Sequence, residues 1–285
     1  MPKSLLNLLQ DDKKKLSKSH RLIADYVLAN YDKVAYMTAS RLAEAVGVSE
    51  STVVRFAMEL GFDRYQDLTA SARELVRRKL TPNQRIRLAN EQMTSSDLID
   101  KILCSDADRI RHTLENVNKD DFFRAAEMIC EAESVFVVGV RSSSALASFL
   151  GYYLELFFAN VKVITSQSGP EMLEKMIHLG PRDALVAISY PRYSKSIINA
   201  VDLAKKKQAR IIAVTDSADS PIAKTADVRL LAQSDMASFA DSLVAPLSIL
   251  NALVAIIGKL REDAVSTAFG SLERMWDEYD VYDEE

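Results

Sequence analysis

The spacing of apolar residues divides the chain into two regions with different rhythms. Up to about residue 80, apolar positions recur every three or four residues, as in Leu22, Ile23, Tyr26 and Val27, and no strand-like alternation occurs. This spacing predicts an all-helical N-terminal domain. From residue 134 onward, short β-branched runs alternate with longer helical patterns, which predicts a second domain of α/β type.

The second region predicts a doubly wound parallel sheet. Its apolar runs are continuous, as expected of parallel strands that helices cover on both faces. We expect five strands, at residues 134–138, 161–165, 184–189, 210–215 and 227–231. We expect helices at residues 142–159, 170–178, 194–207, 221–225 and 241–260. Ligands of such sheets bind at the carboxyl ends of the strands.

Chain length and local composition give the domain boundaries. At 285 residues, the chain is longer than one ordinary hydrophobic core supports. We assign residues 1–79 to the helical domain and residues 80–120, which begin with a polar stretch, to a partly helical linker. Residues 121–265 are assigned to the α/β domain, and residues 266–285 to a C-terminal helix and an acidic tail.

Residues 38–61, TASRLAEAVGVSESTVVRFAMELG, predict two helices joined by a tight turn. Thr38 and Ser49 are suited to cap the two helices, and Gly47 supplies the positive φ that ends the first. In the second helix we expect Val53, Leu60 and either Phe56 or Ala57 to face the core. Such a pair of helices is typical of DNA-binding domains, in which the second helix enters the major groove.

Polar residues of this segment are the candidate DNA contacts. Ser and Thr hydroxyls reach phosphates or base edges, and an Arg guanidinium recognises guanine. The alternative is a helical hairpin that serves packing only. Glu50 and Glu59 count against DNA binding, because carboxylates repel phosphate. The candidate residues are Thr38, Ser49, Ser51, Thr52 and Arg55.

Charge is distributed unevenly between the two regions. The whole chain has a net charge of −4, which by itself argues weakly against nucleic acid as a partner. Residues 1–80 nevertheless carry +4, and the remainder carries −8. The positive charge therefore coincides with the predicted helix pair. Its two basic runs include Lys13, Lys14, Lys15, Lys18, Arg21, Arg73, Arg77, Arg78 and Lys79.

Two serine-rich loops follow the first and third predicted strands. The first, GVRSSSA at residues 139–145, contains Arg141, Ser142, Ser143 and Ser144. It is expected to collect hydroxyls and free backbone N–H groups at a helix N-terminus, which is the chemistry of an anion site. Neither loop matches a dinucleotide or P-loop signature. Ordinary helix capping by these serines is the alternative.

The second loop, ISYPRYS at residues 188–194, places Ser189, Arg192 and Ser194 at the same expected edge of the sheet. Neighbouring strands bring the two loops together, so they can hold one phosphate between them. Hydroxyls and amides suit a phosphomonoester on a neutral sugar, and Arg192 adds a charge-assisted contact.

Composition excludes several other classes of protein. Cys104 and Cys130 lack metal-type or redox-type spacing, and we expect neither a metal nor another cofactor. The most apolar stretch, residues 243–257, is shorter than a membrane-spanning helix. The beginning of the chain is polar and unlike a signal peptide, so we expect a cytoplasmic protein and no membrane partner.

The domain order and these motifs resemble the RpiR/MurR family of bacterial transcription regulators. Members combine an N-terminal helix-turn-helix with a sugar isomerase (SIS) domain, whose sheet is flavodoxin-like. The resemblance covers about residues 3–260 and rests on Ala43, Gly47 and Val53, on residues 60–62 (LGF), and on both serine loops. It implies a DNA-binding regulator of sugar or sugar-acid metabolism genes, whose DNA affinity depends on a bound sugar phosphate.

The resemblance also implies which residues hold the phosphate. The family's G-x-G-x-S loop places its ligand serine at Ser143, with Arg141 where the second glycine stands. In the second loop, S-x-S-G-x-[S/T], the matching hydroxyls are Ser189 and Ser194, while Pro191 and Arg192 replace the usual Ser and Gly. One interpretation is that the arginines compensate for lost contacts and suit an effector with additional negative charge, such as a sugar acid phosphate.

An isomerase with an N-terminal helical appendage is the alternative function. Isomerisation of a sugar phosphate needs a base beside the sugar. Glu171 and His178 are the candidates, because they begin and end one predicted helix and can share a face. Glu171 is also suited to hydrogen-bond a sugar hydroxyl, and Gln167 and Ser168 are weaker candidates.

We expect a dimer or a tetramer that binds a palindromic double-stranded DNA operator, since two helix-turn-helix units then occupy successive turns of DNA. The contacts between subunits are expected in the SIS domain. The candidate surfaces are the helix at residues 243–257 and the aromatic cluster of Tyr152, Tyr153, Phe157 and Phe158, for which core packing is the alternative.

Overall fold

The computed structural model describes Leu9 and residues 16–79, 98–235 and 240–282, without the side chains of residues 74 and 76–79. The basic side chains of Lys13, Lys14, Lys15, Arg77, Arg78 and Lys79 lie outside this description, as do residues 80–97 of the predicted linker. The chain forms two compact units, Met1–Leu88 and Ala89–Glu285.

The first unit is helical throughout its described part, as predicted. Its helices are α1 (Lys18–Ala29), α2 (Tyr31–Val34), α3 (Ala39–Val46), α4 (Glu50–Glu59) and α5 (Tyr65–Lys79). Fully buried residues from all five of them form the core, including Ile23, Val34, Leu42, Val53, Phe56 and Leu68. The sequence predicted that either Phe56 or Ala57 faces the core. Both are buried, so the buried face of α4 is wider than predicted.

The second unit is the predicted five-stranded parallel sheet with helices on both faces. Its strands are β1 (Val135–Gly139), β2 (Val161–Ile164), β3 (Ala184–Ile188), β4 (Arg210–Thr215) and β5 (Val228–Leu231). Their order in the sheet is β2-β1-β3-β4-β5. The helices are α6 (Leu98–Asn116), α7 (Lys119–Cys130), α8 (Ser143–Phe157), α9 (Gly169–Lys175), α10 (Lys195–Lys206), α11 (Val244–Leu260) and α12 (Glu262–Glu278).

Each face of the sheet has its own core. Successive residues of a strand point to opposite faces. Val135 and Val137 therefore pack with α7, α8 and α11, while Phe136 and Val138 pack with α9 and α10. All five residues of β1 and all five of β3 are buried, which explains their continuous apolar sequence.

Several segments differ from the sequence-based prediction. Residues 221–225 form a turn, so the helix predicted there is wrong. Five residues gain too few hydrogen bonds to offset helix nucleation. Residues 98–116, within the predicted linker, form α6 of the second unit and bury Arg109 and Thr113. The C-terminal helix α12 begins at Glu262, before the predicted boundary at residue 266.

Among the described residues, no single helix is long and apolar enough to cross a membrane. Only α11 and α12 taken together have the necessary length and composition, and the two helices are bent by 99° relative to each other.

Gly139→Ala is expected to reduce the free energy of unfolding by about 1–3 kcal/mol, as overpacking does. The new Cβ would lie 2.5 Å from the carbonyl oxygen of Ser143 and 3.0 Å from the Cβ of Ala147. As a control, Gly258→Ala in α11 meets nothing within 4 Å. It is expected to add about 0.5–1 kcal/mol, because alanine favours a helix. Urea unfolding of both variants measures the difference, and equal stability of Gly139→Ala and the wild type would contradict the close approach.

Candidate functional site

Side-chain caps and one glycine hold α3 and α4 in the predicted helix-turn-helix arrangement. Thr38 Oγ1 accepts the N–H of Arg41 at 3.2 Å, and Ser49 Oγ accepts the N–H of Thr52 at 3.2 Å. Gly47 has φ 76° and donates its N–H to the carbonyl of Ala43 at 2.9 Å. Both predicted caps and the predicted glycine turn are therefore present.

The predicted DNA-contacting residues lie together at the start of α4 and outside the core. Ser49, Ser51 and Arg55 are exposed, and Thr52 is half-buried. The hydroxyls of Ser49, Ser51 and Thr52 form a hydrogen-bonded group, with Ser49 Oγ 2.9 Å from Ser51 Oγ and 2.7 Å from Thr52 Oγ1. Thr38, which caps α3, is also exposed.

The carboxylate of Glu59 is directed to another helix of the same unit. Its Oε2 lies 2.5 Å from Nδ1 of His20 on α1, and the His20 ring packs edge-on against Phe56. Glu59 is nine residues from Glu50, which corresponds to about 13 Å along a helix. Repulsion between Glu59 and DNA phosphate is therefore a weaker argument against DNA binding than the sequence suggested. The argument still applies to Glu50, which is exposed in the first turn of α4.

In the second unit, the two serine loops meet at one edge of the sheet. β1 and β3 are hydrogen-bonded neighbours, and Gly139 lies opposite Ile188 at their carboxyl ends. Ser189 directly follows β3, Ser143 begins the helix after β1, and both residues are buried. The strand order reverses between β2, β1 and β3, and such switch points are where parallel sheets bind ligands.

The first loop is held by its own backbone. Arg141 has φ 56°, a left-handed conformation, and its carbonyl accepts the Oγ of Ser144 at 2.5 Å. The N–H groups of Ser143, Ser144 and Ala145 donate to the carbonyls of residues 140, 141 and 142. The expectation that this loop offers these N–H groups to an anion is therefore wrong, because a tight first turn uses them.

The second loop provides the backbone donors that the first lacks. In α10 the first backbone N–H with a backbone acceptor among the described residues is that of Ile198, which donates to the carbonyl of Ser194 at 3.2 Å. The N–H groups of Lys195, Ser196 and Ile197 have no acceptor among the described residues. These three amides, at the positive end of a 12-residue helix, point out from the carboxyl edge of the sheet.

The hydroxyls around these amides are also available. Ser142 and Ser194 precede α8 and α10 as N-cap residues, yet neither side chain makes a capping hydrogen bond. The Oγ atoms of Ser143 and Ser189 likewise have no partner among the described residues. Capping, the alternative explanation for the serines, therefore does not apply to these four. The Ser144 hydroxyl is occupied differently, because it donates to the carbonyl of Arg141.

Arg141 and Arg192 are both exposed at this edge. Neither guanidinium forms an ion pair within the described parts of the chain. The structure thus brings the eight predicted effector residues to one edge of the sheet, with Glu171 in the first turn of α9, which follows β2. The eight are Arg141, Ser142, Ser143, Ser144, Glu171, Ser189, Arg192 and Ser194.

Glu171 is occupied by neighbours on its own loop and helix. Its Oε2 accepts the hydroxyl of Ser166 at 2.5 Å, and its Oε1 lies 2.8 Å from Nζ of Lys175. The hydrogen bonds from Lys175 and Ser166 lower the pKa of the Glu171 carboxyl. A lowered pKa makes this carboxylate a weak proton acceptor.

His178 lies away from Glu171, so the prediction that the two share a helix face is wrong. Helix α9 ends at Lys175, and His178 stands in the following turn. In that turn the carbonyl of Ile177 accepts Nζ of Lys207, from the segment that leads into the amino end of β4. His178 is therefore at the edge opposite the serine loops. Gln167 is exposed, and Ser168 caps α9 by accepting the N–H of Glu171.

Two tyrosines of the second loop were absent from the sequence-based prediction. The hydroxyl of Tyr193 donates to Oδ1 of Asp216, which follows β4, at 2.9 Å. Tyr190 is buried, and its hydroxyl has no partner in the described structure. A tyrosine that follows an apolar strand is a usual core residue, so nothing in the sequence indicated either role.

Comparison with known families identifies both units. The model of the helix-turn-helix domain of the rpiR family matches residues 3–74, and the SIS domain model matches residues 128–256. An uncharacterized HTH-type transcriptional regulator of Clostridium perfringens is 27% identical over 228 residues, covering 79% of this chain and 80% of the relative. This chain belongs to the RpiR family of transcriptional regulators.

Solved structures of similar proteins share the fold. The sugar isomerase domain of an RpiR transcription factor from Sphaerobacter thermophilus matches with a TM-score of 0.60 and 27% sequence identity. The match covers 62% of this chain and 99% of the Sphaerobacter chain. The Vibrio vulnificus NanR protein, complexed with ManNAc-6P, has a TM-score of 0.58 and 23% identity over 95% of this chain and 98% of its own.

The two kinds of serine at this edge are expected to respond differently to removal of the hydroxyl. Ser168→Ala removes a cap from α9 and is expected to cost about 1 kcal/mol of unfolding free energy. Ser194→Ala removes no hydrogen bond of the ligand-free protein and is expected to change it by less than about 0.5 kcal/mol. Urea unfolding measures both values. An equal loss in the two variants would show that Ser194 is a structural cap.

Proposed function

We propose that this regulator binds operator DNA through α4 and binds a phosphorylated sugar, or sugar acid, at the carboxyl edge of its SIS sheet. The observation that carries the effector site is a set of hydrogen-bond donors that have no acceptor in the described parts of the chain. It comprises the hydroxyls of Ser142, Ser143, Ser189 and Ser194 and the first three amides of α10.

This set of donors suits a phosphate. The first amides of α10 point along the helix axis, and the helix dipole favours a negative charge there. Ser189 and Ser194 lie at the start of the same loop and helix, while Ser143 reaches the edge from β1. Four hydroxyls and three amides satisfy the several acceptor positions of a phosphomonoester. Phosphate binding therefore accounts for N-cap serines whose side chains make no capping hydrogen bond.

The two arginines favour an effector with a second negative group. Arg141 and Arg192 are exposed and have no ion pair in the described regions, so each guanidinium is available for a carboxylate or phosphate. A sugar acid phosphate carries such a group, and a neutral sugar phosphate does not. The complex of NanR with ManNAc-6P supports the general assignment, since that fold holds a phosphorylated sugar.

The exposed residues at the start of α4 are the proposed DNA contacts. The recognition helix of a helix-turn-helix enters the major groove through its N-terminal residues, and Arg55, Ser51 and Thr52 lie there. Two such units in a dimer or tetramer would match half-sites about 34 Å apart in a palindromic operator. A protein that reads chromosomal DNA in bacteria works in the cytoplasm.

A regulatory rather than enzymatic role fits the groups around the sheet edge. An isomerase needs a base close to the sugar, with a pKa near the working pH. Glu171 has a lowered pKa and both of its oxygens engaged, and His178 lies at the opposite edge of the sheet. Neither residue has the position and the proton affinity that the reaction requires.

The structure offers one route by which the effector would influence the DNA-binding unit. Helix α6 is the first described helix of the second unit, and residues 80–97 connect it to α5 in the sequence. α6 is hydrogen-bonded to the segment after β5: the N–H of Gln233 donates to Oγ1 of Thr113 at 3.1 Å, and Oγ of Ser242 donates to Oδ1 of Asp106 at 2.6 Å. We propose that a change at the carboxyl edge reaches α6 through these bonds.

Two variants should separate the two binding functions. Arg55→Ala removes a major-groove contact and is expected to weaken operator binding by about 1–3 kcal/mol without changing effector binding. The double variant Ser143→Ala, Ser189→Ala should lose the response to effector while keeping the operator affinity of the ligand-free protein. The measurements are fluorescence anisotropy with DNA selected from a random pool by the wild type, and a thermal-shift screen of sugar phosphates and sugar acid phosphates.

The same pair of assays can contradict the proposal. Loss of DNA binding by the ligand-free double serine variant would place Ser143 and Ser189 outside a dedicated effector site. Failure of the wild type to retain any DNA at low salt, together with turnover of a sugar phosphate, would favour the isomerase instead.

The proposed route to α6 predicts that a variant without these hydrogen bonds binds effector normally but shows a smaller effector-dependent change in DNA affinity. Thr113→Val with Ser242→Ala removes both hydrogen bonds and keeps side-chain volume nearly unchanged. It also removes the bond that Ser242 Oγ accepts from the N–H of Val244 at 3.3 Å. Effector affinity should stay within about twofold, while the effector-dependent change in DNA affinity should fall by roughly fivefold or more, the lower end of ordinary allosteric coupling. Titrations with and without DNA measure both quantities.

Thr267→Val is the matched control. Its hydroxyl bonds to the carbonyl of Asp263 within α12, at 2.8 Å, and α12 makes no part of the proposed route. A full response in the Thr113 and Ser242 variant, equal to that of the Thr267 variant, would exclude these bonds as the route.

A further inference from the structure

Two residues at the carboxyl end of β4 hold the second serine loop near both of its ends. Thr215, the last residue of β4, is fully buried, and its hydroxyl lies 2.8 Å from the carbonyl oxygen of Ser189. Asp216 follows, and its Oδ1 accepts the hydroxyl of Tyr193 at 2.9 Å. The same Oδ1 lies 3.1 Å from the Thr215 hydroxyl. The second serine loop is therefore fixed to the neighbouring strand where it begins and where it leads into α10.

The Thr215 hydroxyl continues the pairing of β3 with β4 beyond the backbone ladder. The N–H of Ser189 donates to the carbonyl of Val214 at 3.1 Å, and within the described structure no backbone N–H donates to the carbonyl of Ser189. Ser189 is 3% exposed, and a buried carbonyl without a donor costs stability. The Thr215 side chain supplies that donor. Without the hydroxyl, we expect the loop to move until water reaches the carbonyl.

The two bonds act next to the groups that the proposed effector site uses. The carbonyl of Ser189 belongs to the same residue as one proposed ligand hydroxyl. Tyr193 directly precedes Ser194, which is followed by the three α10 amides that have no acceptor among the described residues. Binding groups that are already held in place bind more tightly, because less conformational freedom is lost on binding. Thr215 is 0% exposed, so it acts through the loop and does not touch the effector.

We propose that Thr215 and Asp216 are positioning residues that preorganise the second serine loop for the effector, an assignment that rests on the proposed function. Thr215 holds the loop where it leaves β3, and Asp216 holds it, through Tyr193, where it enters α10. The sequence assigns neither residue a role, because their hydrogen-bond partners in the loop lie 26 and 23 positions away along the chain.

The test compares Thr215→Val with Thr215→Ser in the full chain. Valine keeps the shape of threonine and loses the hydroxyl, whereas serine keeps the hydroxyl and loses a methyl group. Both variants are expected to be less stable than the wild type, the first through an unpaired carbonyl and the second through a small cavity. Only Thr215→Val should bind the effector more weakly, by roughly three- to tenfold, as expected for one lost hydrogen bond. The serine variant should stay within about twofold of the wild type.

The probes are inorganic phosphate, glucose 6-phosphate, N-acetylmannosamine 6-phosphate and 6-phosphogluconate. Calorimetry gives the dissociation constants, and the melting temperature is measured without ligand. Tyr193→Phe removes the second bond from a half-buried residue and keeps the ring, so it should also weaken the tightest of the four probes, by roughly threefold.

Thr69→Val is the matched control. Thr69 is a buried threonine of the first unit, and its hydroxyl donates to the carbonyl of Gln66 at 2.9 Å. The control should leave every dissociation constant unchanged, although it too removes a threonine hydroxyl from a backbone carbonyl.

Wild-type affinity of Thr215→Val for the tightest probe would overturn the positioning role while the proposed function stands. Equal weakening by the valine and serine variants would overturn it as well, because packing and not the hydroxyl would then control the affinity. If Thr215→Val does not fold, unchanged affinity of Tyr193→Phe would overturn the role. Failure of the wild type to bind any of the four probes would instead remove the proposed effector site itself, and with it the role of Thr215 and Asp216.

Discussion

The first turn of α8 lies directly against the last residue of β1, and only a residue without a Cβ fits between them. A Cβ on Gly139 would meet the carbonyl oxygen of Ser143 at 2.5 Å. This close approach brings Ser143, which is buried, down to the carboxyl edge of the sheet. The proposed effector site depends on it, because a helix displaced by one side chain would carry the first serine loop away from the second.

The hydrogen bonds of the serines distinguish those that stabilise a helix from those that are candidates for binding the effector. Ser49 and Ser168 accept backbone N–H groups and hold their helices. Ser142 and Ser194 occupy the same N-cap position without doing so. Sequence alone treats these residues as equivalent, since every one of them is a serine before a helix. For Ser142 the backbone makes the distinction, because its dihedral angles are already helical at φ −60° and ψ −33°, whereas Ser49 and Ser168 are extended.

The same reasoning explains which predictions from the sequence were successful. The helix-turn-helix was predicted down to its caps, because Thr38, Gly47 and Ser49 act on residues within four positions of themselves. The strands followed from burial on both faces. The end of α9 could not be predicted, since helix spacing continues through Met176 and Leu179, which are both buried in the turn that follows. Two buried apolar residues in a turn have the same spacing as the apolar residues of one more turn of helix, so the sequence does not distinguish the two structures.

Arg141 shows how a departure from the family pattern is tolerated. At φ 56° the residue is in the conformation for which glycine is best suited, and an arginine there carries a cost of about 1 kcal/mol or more. The bond from Ser144 Oγ to the Arg141 carbonyl helps to hold the strained turn. The resulting geometry directs a guanidinium outward at the mouth of an edge lined with unpaired donors. In a unit that is acidic overall, such a local cation provides attraction for an anion that the net charge would otherwise repel.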